Sequence, residues 1–127
     1  MKQGTTNKLL QVGCNQLHMF KGIKTSKQYH DSLIERVTWH APADLEFNIR
    51  LDTHWNKDRA ETAMLRFTNV KNKAEVEAAL KAIAENRTHE RWVAEIVAFC
   101  RHGKTRYILD TTPQPPLIID CSSFIEI

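Results

Sequence analysis

The chain has 127 residues, 42% of them hydrophobic and 26% charged, with a net charge of +3. That length suits one domain able to bury a core without metal or disulfide support, so a single α+β domain over residues 1–127 is expected. No apolar run is long enough for a membrane helix, no charged-then-apolar leader follows Met1, and the odd cysteine set Cys14, Cys100 and Cys121 excludes a complete disulfide framework. The expectation is three buried thiols in a reducing, cytoplasmic setting.

In chain order, Leu9–Val12 reads as a short strand ending at Gly13. Ser26 is placed to cap a helix from Lys27 to about Thr38, with Tyr29, Leu33 and Val37 on one side and Pro42 closing it. Leu45–Leu51 alternates cleanly, so Leu45, Phe47, Ile49 and Leu51 face a core. A polar loop, Thr53–Glu61, then returns the chain into Ala63–Val70 as a long-looped hairpin. Ala74–Glu85 is a strongly marked helix, with Val76, Ala79, Leu80 and Ile83 at the spacing of one buried stripe and Glu77 and Lys81 as an exposed pair. Asn72 with Glu75 is expected to form its capping box, and Asn86 to end it in the left-handed conformation.

Arg91–Cys100 fits a helical stripe through Trp92, Val93, Ile96, Val97 and Cys100, yet His102-Gly103 lies between two β-rich arms, Ile96–Cys100 and Thr105–Leu109. The turn decides for a strand. Pro113, Pro115 and Pro116 break the chain before two short edge strands, Leu117–Ile119 and Phe124–Ile127. The resulting order, βαββαβ with a β extension, predicts a ferredoxin-like antiparallel sheet with two helices on one face.

With that order, Leu9–Cys100 resembles an RNA-recognition-motif domain. Ala60–Phe67 aligns with the family's third-strand signature at Ala63, Leu65 and Phe67, and Leu10–Asn15 with its first-strand signature. The resemblance implies a sheet on which aromatic residues stack bases. Here those stacking positions are Gln11, Thr62 and Met64, so the resemblance implies the scaffold without its stacking surface.

The chemistry-bearing residues are dispersed. Six histidines include no HxxxH or HExxH pair, so no metal or other cofactor is expected. The loop Asp52–Arg59 holds an acid, an imidazole and cations of the types used in acid–base cleavage of a phosphodiester. The turn Arg101–Arg106 concentrates three permanent cations and His102. Lys2, Lys8, Lys21, Lys24 and Lys27 all precede the first acid, Asp31, which makes the amino-terminal quarter basic. Val93, Val97 and Phe99 are expected on the sheet face away from the helices, opposite Ile108, where the last segment or a second subunit would cover them.

These features favour a non-enzymatic binding module for an anionic partner, either a nucleic-acid backbone or an acidic protein. Lys21, Lys24, Lys27, Arg101, Lys104 and Arg106 are its expected contacts. The alternatives are a small metal-independent ribonuclease working through His54 or His102, and a dimeric small-ligand-binding domain.

Overall fold

A computed structural model describes residues 25–56 and 61–127. The expected strand at Leu9–Val12, with the aligned positions around it, lies outside the described residues, as do Lys21, Lys24 and Cys14. Among the described residues the chain forms seven strands and one helix: β1 (Leu33–His40), β2 (Asp44–Arg50), β3 (Thr62–Thr68), α1 (Lys73–Asn86), β4 (Ala94–His102), β5 (Arg106–Thr112), β6 (Leu117–Asp120) and β7 (Ser123–Glu126). The strands make one antiparallel sheet in the order β6-β5-β4-β1-β2-β3-β7. This overturns the ferredoxin-like expectation: among the described residues the fold is mostly β with one helix, and the expected α+β frame with two helices on one face is not found there.

The error arises at residues 27–38, where a helix was expected and β1 is found. Within β1, Ile34 pairs with Ile49, the register then shifts, and Arg36, Val37 and Trp39 pair with Asn48, Phe47 and Leu45. A bulge opposes two residues to one, so the spacing between inward-facing residues lengthens from two to three at that point. Ile34 to Val37 therefore imitates the i, i+3 step of a helix. β4 carries a similar irregularity between Ile96 and Ala98, which explains the helical look of a segment that is also strand.

β6 and β7 stand at opposite edges of the sheet but only Cys121 and Ser122 separate them. Such a short link forces the sheet to curl until its two edges approach at one end. The curl brings rings from distant strands together: Phe67 of β3 lies 5.6 Å from Tyr107 of β5, and Phe99 of β4 lies 5.4 Å from Phe124 of β7. Phe47, Phe67, Phe99, Leu45, Ile49, Leu65, Ile96, Leu109 and Leu117 fill the interior, and α1 adds Val76 and Ile83 to the same core. At ~1.5–3 kcal/mol for each large apolar side chain removed from water, this interior dominates the driving force for folding.

Both asparagines flanking α1 do something other than cap it. Asn72 makes no side-chain cap bond; its Nδ2 donates to the Ile118 carbonyl and its Oδ1 accepts from the Asp120 amide. The side chain thus completes the open edge of β6 as a neighbouring strand would. At the other end Arg87, in extended backbone, follows the helix, and Asn86 Nδ2 donates to the Gln114 carbonyl. The helix is fastened to the β5–β6 side of the sheet at both ends, and the expected capping box and left-handed Asn86 are not found.

The approach to β1 is fixed by side chains from far along the chain. Glu126 of β7 accepts from the Ser26 and Lys27 amides, the Ser26 hydroxyl and the Tyr29 hydroxyl. Buried Asn56 bridges Gln28, through both its amide and its carbonyl, and donates to the Asp52 carbonyl. Tyr29, expected on a helix face, is fully buried in the core.

Candidate functional site

The β4–β5 hairpin ends with His102 opposite Arg106. Gly103 supplies its left-handed turn residue at φ 74°, and a Cβ there would meet nothing within 4 Å, so the glycine answers a backbone need, with no crowding involved. The tip exposes Arg101, His102, Lys104 and Arg106.

Hydrogen bonds place this tip beside the start of α1. The Thr105 carbonyl accepts from the Cys121 amide, and Arg106 makes two bonds to the Asp120 carboxylate at 2.8 and 3.1 Å. Asp120 in turn accepts from the Lys71 amide through its carbonyl. Because Asn72 is committed to β6, the first-turn amides of α1 have no side-chain cap, and they carry the positive end of the helix dipole. Lys71 and Lys73 flank them, with Lys73 Nζ 5.0 Å above the Trp39 ring. Glu75 lies in the same first turn and supplies a counter-charge.

Not every cation on this rim is equally available. The hydrogen bond from Arg106 holds the Asp120 carboxyl below its usual range against the opposing effect of burial, and the same bond holds Arg106 protonated. Arg106 is therefore largely occupied. Among the described residues neither Arg101 nor Lys104 takes part in an ion pair, and both are exposed. Lys27, the other described residue of the expected set, is not brought to this rim; its amide is bonded to Glu126. Lys71 and Lys73 went unnoticed in the sequence, although both sit at the helix start that the sequence marks clearly.

A second cluster lies at the other end of the sheet, where β1 and β4 begin. Asp31 receives the Trp55 indole N–H at 3.2 Å and has His30 Nε2 at 3.5 Å. His30 Nδ1 donates to the Val97 carbonyl, and the Trp55 ring meets His30 and His54 edge-on at 5.4 and 4.9 Å. The Glu95 carboxyl is held above its usual range first by burial and then by the Asp31 charge. Sequence reasoning missed this group because its members are up to 65 positions apart and His30 and Asp31 lay within the expected helix. His54 belongs to this end and His102 to the hairpin end, so the two imidazoles proposed for cleavage are not neighbours.

Other expectations also change. Phe99 lies in the core, Ile108 is 1% exposed, and Val97 is 36% exposed, so Val93, Val97, Phe99 and Ile108 do not form a continuous open strip. Leu117–Ile127 supplies β6 and β7 at the two edges and does not fold over the sheet. Cys100 is disulfide-bonded, which corrects the expectation of three thiols; Cys121 is the free cysteine among the described residues. Among the described residues the side chains of the core pack between sheet and helix. A shallow groove of about 630 Å³ lies instead over Arg36, Asn48, Thr62, Met64 and Ile127.

Among the described residues no three His, Cys, Asp or Glu side chains are grouped to hold a metal, and no helix is long and apolar enough to cross a membrane. No family model, curated protein or solved structure matches the chain.

Proposed function

We propose that this domain is a non-enzymatic binding module that holds a phosphate-bearing polyanion, with a nucleic-acid backbone the first choice, at the rim shared by the β4–β5 hairpin and the start of α1. One observation carries the reading: exposed Arg101 and Lys104, in no ion pair among the described residues, share an end of the fold with Lys71 and the uncapped amides of a 14-residue helix. Lysines and arginine supply point charges for phosphates, and the helix end adds partial positive charge without a side chain. The aligned stacking positions Thr62 and Met64 carry no rings, so affinity rests on charge.

The rim is a local feature. Of the 18 Lys and Arg, six (Lys2, Lys8, Lys21, Lys24, Lys57 and Arg59) lie outside the described residues, as does one acid, Asp58, of 15; the described part therefore has 12 cations against 14 acids. Binding through about three phosphates gives a log–log salt slope of about −3 on duplex DNA. Titration of a labelled duplex at several salt concentrations measures that slope, and the double variant Arg101→Ser/Lys104→Ser should bring it to about −1. An unchanged slope in that variant, or no binding at low salt, would refute the reading. Stronger competition by polyglutamate than by an equal charge of DNA would move the partner to an acidic protein surface. The enzymatic alternative has no comparable support, since neither His54 nor His102 is in an ion pair with a carboxylate among the described residues.

A further inference from the structure

The outer face of the sheet supports an inference independent of the basic rim. The pairing register lines up one row of side chains across it. Arg36 of β1 opposes Asn48 of β2, Asn48 opposes Met64 of β3, and Met64 exchanges both backbone hydrogen bonds with Ile127, just past β7. Asn48 and Met64 point away from the core, because Phe47, Ile49, Ala63 and Leu65 beside them are buried, and Arg36 and Ile127 are exposed. The groove of about 630 Å³ follows this row, with Glu35 and Thr62 at its side.

The row runs from charge to hydrocarbon. At one end the irregularity in β1 leaves two consecutive residues, Glu35 and Arg36, both exposed and both lining the groove. Glu35 is occupied by Arg50, whose Nε donates to it at 2.8 Å. In the adjoining row Arg66 and His40 both meet Glu46, at 2.7 and 3.0 Å. Arg36 takes part in no ion pair among the described residues, so it is the cation that this groove leaves unanswered. At the other end stand Ile127 and Ile125, 59% and 46% exposed, the two most open large apolar side chains among the described residues. Met64 extends that apolar end toward the middle of the row.

We propose that this groove binds a straight-chain aliphatic carboxylate, its head on the Arg36 guanidinium and its tail laid across β2 and β3 over Met64 to Ile127. A carboxylate suits a planar guanidinium because it accepts two parallel N–H bonds, and the Asn48 amide lies next in the row as a further donor. Three strand spacings separate Arg36 from Ile127, about 14 Å in all, which an extended chain of about ten carbons spans. The polyanion read for the rim has no hydrocarbon to set on Ile127, so the two sites take different ligands.

Chemical shifts of the Asn48 side-chain amide and the Met64 methyl group test the site in the full chain, with hexanoate, octanoate, decanoate and dodecanoate added below their micelle concentrations. A methylene fully removed from water tightens binding about fourfold, so one half covered by an open groove should add about twofold. Affinity should therefore rise by about that factor per carbon up to decanoate and level off at dodecanoate. Octanol and octylammonium should bind about fivefold more weakly than octanoate or worse, and Arg36→Gln should lower octanoate to the level of octanol. Met64→Ser should weaken decanoate more than hexanoate, and Arg101→Ser/Lys104→Ser should change neither. The absence of a saturable shift at Asn48 and Met64 would overturn the proposal. So would octanoate binding that survives Arg36→Gln, or octylammonium binding as tight as octanoate. Tighter binding by tetraleucine with a free carboxylate than by decanoate would also overturn it, by moving the occupant to a peptide terminus.

Discussion

Glu126→Ala tests how the segment before β1 is tied to the last strand. The carboxylate accepts from the Ser26 amide at 2.7 Å, the Ser26 hydroxyl at 3.0 Å, the Lys27 amide at 3.3 Å and the Tyr29 hydroxyl at 2.5 Å. Ser26 is exposed, so water replaces its two bonds at little cost. Tyr29 is fully buried with its ring edge-on to Phe99, and among the described residues its hydroxyl donates to Glu126 alone. Leaving that hydroxyl unsatisfied costs about 1–3 kcal/mol, and the longer Lys27 bond adds about 0.5 kcal/mol. The variant should therefore lose about 2–3 kcal/mol, a large part of the 5–15 kcal/mol typical of a domain.

Tyr29→Phe removes the donor and leaves the carboxylate its other partners, so it should cost about 1 kcal/mol. The double variant should lose less than the sum of the two by about 1 kcal/mol, because both single changes delete the same bond. Urea unfolding measures all three, with an unchanged m-value and a midpoint about 1 M lower for Glu126→Ala. A loss below about 0.5 kcal/mol, or strict additivity, would refute the assignment. The pH dependence gives a second check. Burial works to raise Glu126, but the bonds from Tyr29 and Ser26 outweigh it and hold the carboxyl below its usual range. Its contribution is thus present above the unfolded value of about 4.3 and lost as pH falls through the folded one, so Glu126→Ala should show a shallower acid limb than the parent below about pH 4.

Three further outcomes follow from the same contacts. Asn72→Ser keeps a good helix cap but loses both bonds to β6, so it should destabilise by about 1–2 kcal/mol in urea; a stabilised Asn72→Ser would show that capping is the real role. Asp120→Asn removes the counter-charge beside Arg106 and should tighten polyanion binding about twofold at low salt, with weaker binding counting against the rim. Burial pushes the Cys121 thiol up to about 11, so native alkylation at pH 8 should leave it unmodified and denaturation should expose it, as read by mass spectrometry; rapid native labelling would contradict its enclosure.

The residues show why part of the fold was legible and part was not. Where a strand keeps period two without interruption, as in Leu45-Phe47-Ile49 and Ala63-Leu65-Phe67, alternation identified the buried side chains. The helix stripe through Val76 and Ile83 is equally plain. In β1 and β4 a bulge broke the period, and only β4 had a glycine turn beside it to settle the reading. The asparagines show a different limit. Asn72 and Asn86 satisfy the local rules for helix ends, but a cap is worth only about 1 kcal/mol and water can solvate an exposed helix end. The edge of β6 offers Asn72 one donor and one acceptor together, 46 and 48 positions along the chain. A local rule cannot weigh that competitor until the sheet has curled and set β6 beside the helix. The rim depends on the same event: Asn72 leaves the first turn of α1 uncapped by bonding to β6, and β6 carries the Asp120 that draws the hairpin cations alongside.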